Sequence, residues 1–145
     1  MTLHPIVGTW ALNSIQYEDA ASGERFDMFG DKPTGYIMIN SDGHAMVLIA
    51  DSTRRPPQNQ ADNAALFGSM MCYAGPYRVV GDNEFITTVT AAWHPSWIGT
   101  EQVRYFDVKG DILTITTAVQ THPNFPGRTG RGIVMWTRVG SLVEA

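Results

Sequence analysis

The amino-acid sequence predicts an all-β protein: an eight-stranded antiparallel up-and-down β-barrel with one short helix between strands three and four. Three observations predict it. Apolar segments of period two, or continuously apolar, recur from one end of the chain to the other. The connections between them alternate strictly between short and long. Only one stretch has helical composition.

The first strand runs from about Gly8 to Tyr17, and a long connection, Glu18 to Pro33, leads to the second, Thr34 to Asn40. The tight turn Ser41-Asp42-Gly43 joins it to the third, His44 to Ala50. The next connection, Asp51 to Ala74, holds the helix, Gln60 to Met71, which is Ala-rich and free of β-branched residues. Asp62 or Asn63 is its expected cap, and Leu66, Phe67, Met70 and Met71 fall on one helical face. The fourth strand, Gly75 to Val80, turns through Gly81-Asp82-Asn83 into the fifth, Glu84 to Trp93. His94 to Glu101 leads on to the sixth, Gln102 to Val108, and Lys109-Gly110-Asp111 turns into the seventh, Ile112 to Val119. Gln120 to Gly130 then connects to the eighth, Arg131 to Val139.

If consecutive strands are antiparallel neighbours, all tight turns gather at one end of the sheet and all long loops at the other. Eight strands so arranged can close, which removes exposed edges and leaves an interior for side chains or one small ligand. A two-sheet sandwich is the competing architecture, but it does not require a long connection at every second position. Met28, Phe29, the helix, His94, Trp97, His122 and Phe125 are therefore expected around one opening.

Composition bounds the rest. With 43% apolar and 17% charged residues over 145 positions, the whole chain is expected to fold as one domain, residues 1–145. A formal charge of -4 and the lack of any basic run give no reason to approach nucleic acid or an anionic membrane. No apolar run approaches a membrane span, and Met1 to Val7 is no signal peptide. The single cysteine, Cys72, suits a reducing cytoplasm and reads as small apolar filling. The oligomeric state stays open, a homodimer included.

The first strand opens Gly8-Thr9-Trp10, the Gly-x-Trp found at the start of the first lipocalin strand. Val7 to Leu12, Pro33 to Met38, Ser41 to His44, Tyr73 to Tyr77 and Pro95 to Arg104 extend the pattern. This ordered set resembles the lipocalin-like domain family of small cytosolic-type bacterial and fungal proteins, over nearly the full chain. The resemblance implies a calycin-type barrel with an interior cavity. It also implies that Trp10 closes the smooth end, with Arg138 stacked over its indole at about 0.5–2 kcal/mol. Fold alone sets no reaction.

Candidate chemistry is sparse. His4, His44, His94 and His122 lack the spacings that present two imidazoles to one metal, so neither metal nor cofactor is expected. Gly127 to Gly132 lacks Walker spacing and precedes a strand, and no Gly-x-Ser-x-Gly elbow occurs. Arg104 shares parity with Phe106 and Val108. Facing inward, it needs an acceptor from Glu101 or from a ligand carboxylate, carbonyl or phenolate; facing outward, it is simply solvated. Tyr36, Tyr77, Thr88, Thr90 and Ser14 are candidate hydrogen-bonding groups for a ligand, and Met38, Met46, Met70, Met71 and Met135 a candidate adaptable lining. Trp97, Phe67 and Met71 are expected at the mouth.

The expected function is binding of a small hydrophobic or aromatic molecule in the barrel. The alternative is a cofactor-independent isomerase, cyclase or lyase in the same cup, with His94 or His44 as general acid/base and Arg104 stabilising an enolate or phenolate. A third possibility is a structural barrel filled by its own side chains.

Overall fold

A computed structural model describes residues 3–121 and 125–140. They form β1 (Gly8–Asp19), β2 (Arg25–Asp27), β3 (Thr34–Ile39), β4 (His44–Ala50), α1 (Gln60–Gly68), β5 (Met70–Val80), β6 (Glu84–Thr88), β7 (Ala91–Ala92), a 3-10 turn (Pro95–Trp97), β8 (Glu101–Lys109), β9 (Ile112–Thr116), β10 (Gln120–Thr121) and β11 (Thr129–Arg138). Eight of the strands pair antiparallel in the order β1-β3-β4-β5-β6-β8-β9-β11. The last returns to the first, from Trp10 opposite Arg138 to Asp19 opposite Gly130. The sheet is thus a closed barrel, and among the described residues there is no second sheet to make a sandwich.

The three short strands decorate the long connections: β2 extends β1, β7 pairs β5, and β10 pairs β11. β2 and β10 fall in segments read from sequence as connections, whereas β7 is the far end of the strand expected over Glu84 to Trp93. With β2 counted, the helix follows the fourth strand rather than the third.

Two further boundaries differ from expectation for local reasons. The helix stops at Gly68, where the Ser69 N–H donates to the Leu66 carbonyl, and Met70 and Met71 open β5 opposite Ala50 and Ile49. Its N-cap is Asn59, whose Oδ1 accepts the Asp62 N–H at 2.8 Å; the Asp62 carboxylate accepts from Gln58 N–H instead. The single strand expected over Glu84 to Trp93 breaks after Thr88, because Val89 exchanges hydrogen bonds with Thr100 and Gly99 while Thr90 N–H turns to Ala74.

Ile37 and Ile39 on β3, Ala45, Val47 and Ile49 on β4, and Leu113 and Ile115 on β9 alternate inward and are buried. At the smooth end Trp10 is fully buried, its Nε1–H donating to Ile6 O at 3.0 Å. Arg138 covers it, with the guanidinium carbon 4.1 Å from the indole centroid. Gly8 has φ +145°, and a Cβ there would stand 2.7 Å from Arg138 Nη1. The glycine of Gly-x-Trp is therefore required both by backbone conformation and by the approach of the arginine.

Candidate binding cavity

At the opposite end the barrel encloses a cavity of about 630 Å³. Its wall is Ile15, Ile37, Val47, Ile49, Phe85, Ile115, Val134 and Trp136, inward residues of the barrel strands, with Met70 and Met71 at the start of β5, and the long connections complete it with Met28, Phe29 and Phe67. Phe29 holds φ 58°, the one positive φ among described non-glycine residues, a conformation that costs about 1–3 kcal/mol. Burying its ring at the cavity opposes that cost.

The mouth is aromatic. Phe67 of α1 lies 6.4 Å from the Trp93 ring, Trp93 lies 5.1 Å from Trp97, and Trp97 lies 5.3 Å from Tyr73 of β5. Trp93 Nε1–H donates to Phe67 O at 3.3 Å, fastening the helix to the connection between β7 and β8. Trp97 and Phe67, on the long connections, and Met71, on β5 rather than on the helix, all line this cavity. Trp93 was missed: counted as a strand residue, it lies just beyond β7, and its neighbours Trp97 and His94 were the available signal.

His94 lines the same mouth. Its Nδ1 accepts the Ser96 N–H at 3.2 Å and stands 2.8 Å from Ser96 Oγ, capping the 3-10 turn. A backbone N–H on Nδ1 makes the neutral ring the Nε2–H tautomer. His44 is elsewhere. It sits in the β3–β4 hairpin at the smooth end, exposed and 3.5 Å from Asp42, so it shares no site with Arg104. His122 lies outside the described residues.

Arg104 faces inward and lines the cavity. Nη1 donates to Val103 O at 2.9 Å and Nη2 to Gln102 Oε1 at 3.1 Å. Gln102 in turn donates to Thr100 Oγ1, and Thr100 to Trp97 O, which links the arginine to the mouth. Glu101 is not its partner, because that carboxylate pairs with Arg78 on the outside at 3.2 Å.

Other expected site residues do not reach the cavity. Tyr36, Met38, Met46 and Met135 point outward and are exposed, since Ile37, Ile39, Val47 and Val134 hold the inward parity. Tyr77 packs edge-on against Phe85, outside the lining, and spends its hydroxyl on Asn40 O at 2.7 Å; burial first, then nearby Asp42, pushes its pKa up. Thr90 is exposed and Thr88 half-buried, whereas their neighbours Thr87 and Val89 are buried. Ser14 follows a bulge between Leu12 and Ser14 and also stays out of the lining. Among the described residues no cluster of His, Cys, Asp or Glu can hold a metal, and no helix is long and apolar enough to cross a membrane.

A family model described as a lipocalin-like domain matches residues 7–139. No curated protein matches the chain.

Proposed function

The chain belongs to the lipocalin-like domain family, and from that premise we propose that it binds a small hydrophobic or aromatic molecule in the cup between the barrel wall and the aromatic mouth. The cavity carries this reading: its size, about 630 Å³, lies within the roughly 300–1,000 Å³ of small-molecule sites, and its wall is mostly apolar. Burial of apolar ligand surface supplies most of the affinity. A barrel filled by its own side chains would have no such space.

The binding residues in this reading are Phe67, Met71, Trp97 and Arg104, with Trp93, Tyr73 and Phe29 added and the outward Tyr36, Met38 and Met46 removed together with Tyr77, Thr88 and Thr90. The fold is taken as one domain acting in a reducing cytoplasm, which the single Cys72 supports. The test is titration with N-phenyl-1-naphthylamine, an uncharged aromatic probe, followed by its emission. Saturable binding weakened by Trp97→Ala is expected. Binding that Trp97→Ala leaves intact, or none at all, would remove the proposal.

A second reading, a cofactor-independent isomerase, cyclase or lyase, is favoured by one observation: His94 and Arg104 line the same cavity. The Nε2–H tautomer suits His94 to donate to a substrate oxygen rather than to take a proton, while Arg104 stabilises the developing oxyanion. Variants of either residue that keep affinity and lose turnover would select catalysis over binding.

A further inference from the structure

Among the described residues, Arg104 contributes the only formal charge to the cavity wall at neutral pH with histidine neutral, and no described Asp, Glu or Lys lines it. The protein as a whole is acidic, at -4, so this local sign runs against the global one. The neighbouring acid is occupied elsewhere: Glu101 faces out to Arg78 at 3.2 Å. Glu18, on β1, is shared between Arg131 and Arg25, each at 3.1 Å. The acceptors Arg104 does have, Val103 O and Gln102 Oε1, are both neutral.

A guanidinium carries five N–H donors, so three remain after these two bonds. A cation at the edge of an apolar space with only neutral partners is poorly compensated, and the group that compensates it best is an anion able to accept two parallel N–H bonds. The two existing bonds tether the guanidinium through Gln102 and Thr100 to the mouth connection, which limits the ordering it must undergo on binding.

We infer that the ligand of this cavity is an organic carboxylate, an apolar or aromatic body bearing one anionic head, with Arg104 as its counter-ion. The inference rests on the binding reading above and narrows it to one ligand class.

The test compares 1-naphthaleneacetate with its uncharged amide, 1-naphthaleneacetamide, by calorimetry on the full chain. The pair shares one aromatic body and differs in the charge of the head. The acid is expected to bind wild type at least about tenfold more tightly than the amide. Arg104→Met should abolish that preference, chiefly by weakening binding of the acid at least about tenfold, and Arg104→Lys should retain part of it. The wild-type comparison stands even if a variant fails to fold. Equal affinities in wild type, or a preference that survives in folded Arg104→Met, overturn the carboxylate inference alone. Failure of both compounds and of N-phenyl-1-naphthylamine to bind overturns it together with the binding reading.

Discussion

The Arg138 guanidinium lies over Trp10 with its central carbon 4.1 Å from the ring centroid, while its Nη atoms donate to Val7 O and Pro5 O at 3.1 and 2.9 Å. One side chain thereby joins the last strand, the first strand and the segment before it. Arg138→Ala is expected to cost about 2–3 kcal/mol. Gly8→Ala, with its left-handed φ and blocked Cβ position, is expected to cost about 1–3 kcal/mol. Urea unfolding measures both; a Gly8→Ala change under about 0.5 kcal/mol would contradict the closure described for the smooth end.

Adjacent residues of β3 should respond oppositely to truncation. Ile39 is fully buried and Met38 is 44% exposed. Ile39→Ala is expected to destabilise by about 2–5 kcal/mol, and Met38→Ala by no more than about 0.5 kcal/mol with probe binding unchanged. The reverse order in denaturant melts would invert the facing of the strand.

Acid should weaken the protein partly through Asp19. The Ser22 hydroxyl first, the Ser22 N–H next, and more weakly Arg128, at 4.0 Å, hold its carboxyl below the usual range against an opposing effect of burial. A lowered folded pKa means that the stabilisation is full above the unfolded value, near 4, and is lost as pH falls through the folded value. Thermal melts of wild type and Asp19→Asn should therefore differ at neutral pH and converge toward about pH 2. A constant gap across that range would refute the assignment.

Cys72 should be a slow thiol. It is half-buried on β5, and burial pushes its pKa up. Iodoacetamide at neutral pH is expected to alkylate it at least about tenfold more slowly in the native protein than in guanidinium. Equal rates, followed by mass spectrometry, would show an open thiol.

The order of strands and the two unlike ends were legible because turn chemistry is local: Ser41-Asp42-Gly43 and Lys109-Gly110-Asp111 mark hairpins whatever the rest of the chain does. The facing of β3 and β4 was not, because both alternating sets are apolar. Ile37 and Ile39 compete with Tyr36 and Met38, and Val47 and Ile49 with Met46 and Leu48, so period two identifies the strands without choosing a side. The helix end was lost for a similar reason. Met70 and Met71 continue a helical spacing, yet pairing with Ala50 and Ile49 draws them into the sheet. Arg104 was legible only as sharing a face with Phe106; that its neighbour Glu101 turns outward to Arg78 is a matter of tertiary geometry.

The placement of the four tryptophans gives the molecule a built-in optical readout. Trp93 and Trp97 stand at the mouth of the cavity, whereas Trp10 is sealed at the far pole and Trp136 is buried in the wall. Emission from the first pair should shift to the blue and change in intensity when a guest shields them from solvent, with Trp10 as an unchanging internal reference. Occupancy can then be followed on the unlabelled chain, and a Trp97→Phe copy isolates which indole reports it.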